Sequence, residues 1–282
     1  MAATCAQCGA PLKGLGRFLG RRLCSDCERQ EHERKREAEV AYRAELEQAL
    51  VATAPAEELA ARLAPLRAAL PAPKARELEL QTFRSYLDQV LKDDILSAEE
   101  EERLAVIMTA LGIDQATFQR EFAEYAPRLL VARINDGRLP RLPPEKASII
   151  VRKGETVHLE APATLLKERA IRRSSYAGFS FRIAPGVRFH TGQIRSAPKL
   201  EWTVQEVDKG VLSVTSQRVV FRGQRQSLEV PYRKLLGVEF YSDGLRLDVA
   251  GRSSAPILRL RQDHLLPIGA CINAAAQRHL QG

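Results

Sequence analysis

Two pairs of cysteines near the N-terminus constrain the fold of this chain more than any other feature. Cys5 and Cys8 form the first Cys-x2-Cys pair, and Cys24 and Cys27 form the second after fifteen intervening residues. Four thiolates at this spacing complete a tetrahedral zinc site that has no open coordination position. The pattern therefore predicts a structural zinc module over residues 1–30. A pair of redox-active dithiols is the alternative, but no strand–helix pattern of the thioredoxin type surrounds either pair.

This head resembles a zinc ribbon or treble clef, in which the second cysteine pair leads directly into a helix. Basic side chains in such a hairpin can bind the phosphates of a nucleic acid. A solvated hairpin without that role is the simpler interpretation. The candidate residues flank Phe18 and are Lys13, Arg17, Arg21 and Arg22.

The composition predicts a folded chain in a reducing compartment. Of the 282 residues, 45% are hydrophobic, which is enough to bury a core. No run approaches the roughly eighteen apolar residues of a membrane-spanning helix. The N-terminus has neither the charged nor the apolar region of a secretory signal, so we expect a cytoplasmic protein. In that compartment paired cysteines are more often metal ligands or redox groups than structural disulfides.

The middle of the chain has the pattern of several helices. A nearly all-charged segment predicts a solvent-exposed helix from Ser25 to about Leu50, and residues 31–52 are interpreted as a stalk that carries the head. Prolines divide residues 53–137, a helical domain, into shorter pieces. The predicted pieces are Lys74–Leu91, a helix from a Ser97–Glu100 capping box to Gly112, and one helix after Asp114.

The segment from Leu91 to Ile113 resembles the tellurite-resistance-B-like (TerB-like) helical fold, in which an acidic turn, a glutamate-rich helix start and a Leu-Gly-Ile break recur. The resemblance covers roughly residues 74–135. It implies a metal held by acidic turn residues, here Asp93, Asp94 and Glu100. However, Ile95 stands where that pattern has a glycine, and the spacing of an EF-hand is not met. Helix capping by these acids is therefore the preferred interpretation.

After a proline-rich linker, helical periodicity gives way to strand periodicity. Arg138–Pro144 reads RLPRLPP, a stiff extended sequence, so we predict a boundary between independently folding parts at residues 138–146. Residues 147–282 are then a β domain with a last helix capped by Asp263, on which Cys271 is buried. The predicted strands are Thr156–Leu159, Thr164–Ile171, Phe179–Ile183, Val187–His190, Trp202–Val207, Val211–Thr215, Val219–Phe221, Leu228–Val230, Leu236–Tyr241, Leu245–Val249 and Ile257–Leu260.

A second resemblance is carried by the hairpin Gly210–Gly223, GVLSVTSQRVVFRG. Its Gly-x-Leu, Thr-x-x-Arg and Phe-x-Gly elements, followed by Leu236–Leu245, resemble bacterial pleckstrin-homology-like (PH-like) and GRAM-like domains over about residues 150–280. The resemblance implies an antiparallel β-barrel or sandwich that the C-terminal helix closes. The expected fold class is therefore multidomain α+β, with a small four-cysteine zinc module and a helical segment before the PH-like domain.

Positive charge is concentrated in the β half. Between Glu145 and Arg261 there are 21 Lys/Arg and 11 Asp/Glu, whereas the whole chain has a net charge of +8. Such a field favours anionic partners without choosing among phospholipid, nucleic acid and acidic protein. We expect a weak, salt-sensitive preference. The candidate residues for binding an anionic lipid lie near one loop and are Lys167, Arg169, Arg172 and Arg173.

The sequence contains no recognisable catalytic motif. Its five histidines are scattered, and HExxH, GxSxG, Walker A and dinucleotide-binding patterns are missing, so we expect neither an enzyme nor a small-molecule substrate. The motifs favour a non-catalytic adaptor or scaffold, in which the structural zinc module and the PH-like domain bind protein partners, with an anionic membrane as a further surface. The alternative is a nucleic-acid-binding protein that uses the basic zinc hairpin and the basic β domain.

Overall fold

A computed structural model describes residues 4–12, 22–168, 179–184, 187–191, 204–252 and 254–281. Met1–Gln89 and Glu99–Phe122 form one compact unit, the helical unit, while Val90–Ala98 and Ala123–Gly282 form the sheet unit. None of the described helices is long and apolar enough to span a bilayer. The α-helices found in these residues are α1 Ser25–Val51, α2 Ala56–Ala68, α3 Ala72–Val90, α4 Ala98–Ala110, α5 Gln115–Glu121, α6 Tyr125–Asn135 and α7 Gln262–Gln281.

Helix α1 occupies the segment for which one long charged helix was predicted. Its buried residues are Cys27 at the N-terminal end and Tyr42, Leu46 and Ala49 near the C-terminal end. No residue from position 28 to position 41 is buried, and the Lys35–Glu31 pair, at 2.7 Å, lies on this stretch. At 1.5 Å per residue, the exposed stretch is about 20 Å long.

A buried carboxylate fixes the C-terminal half of α1 within the helical unit. Tyr42 donates a hydrogen bond to Glu79 of α3 at 2.6 Å. Arg67 of α2 and Arg76 of α3 pair with the same carboxylate at 2.8 and 3.0 Å. Because Glu79 is only 2% exposed, these partners compensate for the desolvation of its charge. Three helices are thereby joined at one buried carboxylate.

The single helix predicted after Asp114 is wrong, because the chain forms two helices there, α5 and α6. Asp114 accepts a hydrogen bond from the amide of Thr117 at 2.7 Å and so caps α5 as expected. Helix α5 ends where Phe122 leaves the helical conformation, with φ at −138°. The Phe122 ring is fully buried and packs edge-on against Phe83, with 5.0 Å between ring centroids. The free energy gained by burying this ring outweighs the free energy that another helical turn would contribute.

The sheet unit contains one curled sheet whose main part is seven antiparallel strands in the order β7-β8-β9-β1-β4-β5-β6. Strand β1 therefore joins two meanders, β4–β6 and β7–β9. The hairpin β2–β3 adds to the edge of β7 through a parallel pairing of β3. The strands are β1 Val157–Glu168, β2 Phe179–Ala184, β3 Val187–Thr191, β4 Val204–Thr215, β5 Arg218–Gly223, β6 Ser227–Pro231, β7 Leu235–Tyr241, β8 Gly244–Val249 and β9 Ile257–Arg259.

Two predicted interruptions of the strands are wrong. Val157–Leu159 and the described part of Thr164–Ile171 belong to the single strand β1, and the described part of Trp202–Val207 belongs with Val211–Thr215 to β4. Pro162 lies inside β1 and has no N–H group to donate to a neighbouring strand. It is accommodated because β9 pairs with β1 only at Thr164–Leu166, so that β4 alone pairs with β1 at Pro162.

The Thr-x-x-Arg element of the β4–β5 hairpin holds a buried ionic network. Arg218 donates to both carboxylate oxygens of Glu155, at 2.7 and 2.9 Å, and to Glu229 at 2.6 Å. Thr215 donates to Glu155 at 2.8 Å. The side chains of Glu155 and Arg218 are 0% and 8% exposed, so water does not screen this bidentate pair. Burial raises the pKa of Glu155, but hydrogen bonds from Arg218, the Arg152 amide and Thr215 outweigh burial and lower that pKa.

The glycine that ends the same hairpin is required by a capped turn. Asp208 accepts hydrogen bonds from the amides of Arg225 and Gln226, both at 2.7 Å, and so closes the turn between β5 and β6. A Cβ atom on Gly223 would lie 2.2 Å from that carboxylate. The Phe-x-Gly element of the sequence pattern is therefore explained by the space that Asp208 occupies.

Helix α7 covers the core of the sheet with the apolar stripe predicted from the sequence. It begins at Gln262, so Asp263 lies in its first turn. The sequence had instead predicted Asp263 as the residue that caps the helix. A Cβ atom on Gly269 would meet the Phe240 ring at 2.1 Å, which shows how closely helix and sheet approach. Burial raises the pKa of the Cys271 thiol to about 12, as expected for a small buried apolar residue. The stripe, each member at most 1% exposed, is Ile268, Cys271, Ile272 and Ala275.

The segment that precedes β1 also contributes to the sheet unit. Ile134 of α6 belongs to its main apolar core, and Leu130 and Leu139 pack against that core. In the predicted linker, the amide of Leu142 donates to the carbonyl oxygen of Val157 at 2.8 Å. Independent folding of the parts on either side of residues 138–146 stays a prediction.

A fragment that begins at residue 145 should melt at a lower temperature than one that begins at residue 123, although both contain every strand. The shorter fragment lacks the partly buried Leu130 and Leu139 and the fully buried Ile134, and full burial of one such side chain stabilises the fold by roughly 1.5–3 kcal/mol. Thermal melting by circular dichroism measures the difference, with limited proteolysis of the whole chain to test cleavage at 138–146. Equal melting temperatures would contradict a contribution of α6 to this core.

Candidate metal centre

The first cysteine pair lies in a tight turn closed by backbone hydrogen bonds. Thr4 and Pro11 form an isolated β-bridge, and the Cys5 amide donates to the carbonyl oxygen of Ala10 at 2.8 Å. Gly9, with φ at +72°, donates to the Cys5 carbonyl oxygen at 3.0 Å. A left-handed backbone at this position favours glycine, which explains the Cys-Gly sequence at the end of the pair.

The second cysteine pair is positioned by the start of α1. Cys24 is the extended residue directly before the helix, and Cys27 lies in its first turn. The amide of Glu28 donates to the Cys24 carbonyl oxygen at 2.9 Å, which closes that turn. The amide of Ala6 donates to the carbonyl oxygen of Arg22 at 2.9 Å and ties the two pairs together. A helix N-terminus carries partial positive charge, so this placement favours thiolates.

The four sulfur atoms are close enough to share one ion. The Sγ atoms of Cys5, Cys8, Cys24 and Cys27 all lie within 4.8 Å of one another, and those of Cys8 and Cys24 are 3.7 Å apart. A tetrahedron with metal–sulfur bonds of about 2.3 Å has edges of about 3.8 Å. Cys5 and Cys27 are buried, whereas Cys8 is exposed. The donor set therefore fits a tetrahedral metal, and four protein ligands leave no position for a substrate.

The electrostatics of the cluster also favour a cation. Hydrogen bonds from the backbone of Cys8 and Cys24 lower the pKa of Cys5 to about 6, and the Cys24 amide lies 3.3 Å from its sulfur. The neighbouring sulfur atoms of Cys24 and Cys8 instead raise the pKa of Cys27. Repulsion between neighbouring thiolates therefore makes the last of the four thiols difficult to deprotonate. A divalent cation at the centre would offset that repulsion.

Of the other candidate residues, few lie in the described part of the chain. In the basic hairpin Arg22 is exposed, whereas Lys13, Arg17 and Arg21 lie outside the described residues. In the basic loop of the β half Lys167 is exposed, whereas Arg169, Arg172 and Arg173 lie outside.

The acidic turn does not form a second metal cluster. Within the described residues, the four cysteines are the only group of three or more Cys, His, Asp or Glu ligand atoms close enough for one ion. Asp93 accepts a hydrogen bond from the amide of Ile95 at 3.1 Å, and Asp94 has φ at +57°. Asp93 and Asp94 therefore shape a turn before α4, and helix capping by these acids stays a prediction.

No protein-family model matches the chain, and no curated protein is similar to it in sequence. The class of protein is therefore defined by its fold and its cysteine cluster alone. The described chain is a mixed α+β protein with a four-cysteine cluster, a helical unit, and a curled antiparallel sheet followed by a C-terminal helix.

Proposed function

We propose that this chain is a non-catalytic adaptor whose head is folded around one structural zinc ion. The observation that carries the proposal is the closed set of four sulfur atoms within 4.8 Å, which saturates a tetrahedral metal. A metal in such a site stabilises a surface and activates no substrate. Zinc is the metal that four thiolates and tetrahedral geometry select most often in a reducing compartment.

The placement of the head supports a role in presenting that surface to a partner. The head stands at the end of α1, beyond about 20 Å of helix in which no residue is buried. A charged helix of this kind holds its end away from the rest of the helical unit. Two surfaces on one chain, the head and the sheet unit, suit an adaptor that brings protein partners together.

We further propose that the sheet unit is a PH-like domain and that the helical segment is TerB-like. The seven-strand order, two meanders joined through β1 with a helix after the last strand, supports the first assignment. The buried role of Thr215 and Arg218 gives the Thr-x-x-Arg pattern a structural reason to persist in such domains. The break at Gly112, with φ at +58°, supports the second.

Affinity capture with the full, zinc-loaded chain tests the adaptor proposal. The bait is compared with Cys27→Ser, and every sample is treated with nuclease before washing. We expect nuclease-resistant protein partners, one group of which is lost with Cys27→Ser while another is retained by the sheet unit. Loss of all captured protein on nuclease treatment would instead favour the nucleic-acid-binding alternative. Capture that does not differ between the two baits would remove the head from the proposal.

A further inference from the structure

The four sulfur atoms of the head differ in how far solvent reaches them. Cys8 is exposed and Cys24 is partly exposed. Cys5 and Cys27 are only 3% and 6% exposed. Oxidants in solution attack the thiolates that they can reach, whereas buried cysteines are inert. The accessible sulfur atoms therefore come one from each cysteine pair.

The same two sulfur atoms lie close enough to react with each other. The Sγ atoms of Cys8 and Cys24 are 3.7 Å apart. A disulfide bond is about 2.05 Å long, so the two atoms need to approach by only about 1.7 Å in total. Neither side chain is buried, which leaves room for this small rotation.

The other two sulfur atoms are held by their surroundings. The Cys5 sulfur accepts a hydrogen bond from the amide of Cys24 at 3.3 Å. The backbone of Cys5 is fixed as well, because its amide donates to Ala10 and its carbonyl oxygen accepts from Gly9. Cys27 is buried in the first turn of α1. A disulfide from Cys8 to either of them would draw a buried sulfur out of these contacts, so Cys24 is the favoured partner.

We propose that the head is a peroxide-sensitive switch, in which Cys8 and Cys24 form a disulfide and the site loses its metal. The proposal rests on the structural zinc site and adds its regulation. Disulfides in a reducing compartment are usually transient and redox-sensing, which agrees with a cross-link that forms only under oxidant.

The oxidation proceeds in two steps. The Cys8 thiolate attacks hydrogen peroxide, the O–O bond breaks, and uptake of one proton gives a sulfenic acid at Cys8 and one water. The Cys24 thiolate then attacks that sulfur, the S–S bond forms, and the hydroxide that leaves takes up a second proton to give a second water. Two thiolates thus lose two electrons in total, and the peroxide gains them. Cys5 and Cys27 alone cannot complete a tetrahedral site, so the metal affinity is lost.

The disulfide would keep the two cysteine pairs joined after the metal has left. It connects the first pair to the residue directly before α1 and closes the chain between Cys8 and Cys24 into a loop. Cys5 and Cys27 stay as thiols, so reduction of one bond restores all four ligands. Oxidation would therefore withdraw the folded surface of the head reversibly, and with it the partners that this surface binds.

Peroxide treatment of the full, reduced and zinc-loaded chain tests the proposal. A metallochromic indicator measures free zinc, the remaining thiols are alkylated in denaturant, and tandem mass spectrometry of tryptic peptides locates the disulfide. We expect release of the bound zinc together with a disulfide between Cys8 and Cys24. Cys5 and Cys27 should be recovered in alkylated form. Dithiothreitol and added zinc should restore the metal content.

Histidine variants separate the accessible sulfur from the rest of the site, because three cysteines and one histidine also complete a tetrahedral zinc site. Cys8→His removes the exposed thiol, so its release of zinc under peroxide should be about tenfold slower than that of wild type. Cys27→His is the matched control, since it keeps Cys8 and Cys24 and should stay within about threefold of the wild-type rate. If a histidine variant does not bind zinc, the disulfide map of the wild type decides the pairing by itself.

Several results would overturn the switch. They are zinc that stays bound under peroxide, a disulfide within one Cys-x2-Cys pair, and equally fast release from Cys8→His. Conversion of Cys8 to a sulfinic or sulfonic acid without a disulfide would show oxidative damage and not a switch. A reduced protein that binds no zinc would reject the structural site itself, whereas a zinc-loaded protein that resists peroxide rejects only the switch.

Discussion

Removal of zinc should unfold the head, residues 4–12 and 22–27, and leave the sheet unit folded. The purified protein should contain one zinc per chain, and chelation should abolish the amide protection of Cys5, Ala6 and Gly9 in hydrogen exchange. The expected effect is large, because structural zinc sites contribute roughly 10–16 kcal/mol of binding free energy near neutral pH. A cluster of so few residues has no apolar core that could replace it. Affinity should fall as the pH is lowered, since protons then compete with the metal for the thiolates.

Two cysteine variants make this experiment specific. Cys27→Ser removes one of the four proposed ligands and should reduce bound zinc to well below one per chain. Cys271→Ser is the matched control, since this cysteine is buried under α7 in the sheet unit and should leave the metal content unchanged. Stoichiometric iron, or an intact disulfide between any of the four head cysteines, would reject the zinc assignment.

Replacement of Arg218 by alanine should destabilise the sheet unit by about 3–5 kcal/mol, because it leaves the buried carboxylate of Glu155 without its partner. In a unit of this size, such a loss lowers the melting temperature by roughly 10 °C. Arg261→Ala is the matched control. Its pair with Asp263 is exposed, with the arginine side chain 75% accessible, and removal of an exposed pair costs about 0–1 kcal/mol. Equal losses in the two variants would contradict the assigned role of Arg218.

The loss caused by Arg218→Ala should depend on pH in a definite direction. In the wild type the pKa of Glu155 is lowered in the folded state, so its ionised form adds stability above the pKa of the unfolded chain, and that stability is lost as the pH falls through the folded pKa. Without Arg218, burial raises the pKa of Glu155, and the cost is greatest where this carboxylate must stay ionised. The destabilisation should therefore be larger at pH 7 than at pH 4. Glu155→Gln in the Arg218→Ala background should recover part of it at pH 7.

The sequence predicted the cysteine cluster well because local geometry determines it. Two short knuckles and a following helix place the cysteines of each pair locally, and spacing alone identified Cys5, Cys8, Cys24 and Cys27. The apolar stripe of α7 was predictable for the same reason, since helical periodicity is local. The bounds of the β7–β8 hairpin were also predicted to within one residue, because the strand periodicity of Leu236–Tyr241 and Leu245–Val249 is local.

Long-range pairings could not be read from the sequence. The sequence pattern singled out Thr215 and Arg218, but their partner Glu155 is some sixty positions away and no local signal marks it. The predicted interruption between Leu159 and Thr164 was wrong, because the sequence does not reveal that β4 pairs with β1 through Pro162.

The position of two cysteines at the start of α1 also has a consequence for how that helix forms. The first turn of a helix is unfavourable to nucleate, whereas each later residue adds a hydrogen bond at little cost. A metal bound by Cys24 and Cys27 would fix that first turn before the exposed stretch from 28 to 41, which has no buried residue to stabilise it from the side. The exposed stretch would then be held helical from both ends, by the metal at Cys24 and Cys27 and by the packing of Tyr42. Without the metal, the helix would fray from Cys24 towards Tyr42. Far-ultraviolet circular dichroism on chelation would record this as a loss of helix beyond the head itself, and an unchanged helical signal would show that the packed end alone maintains the stalk.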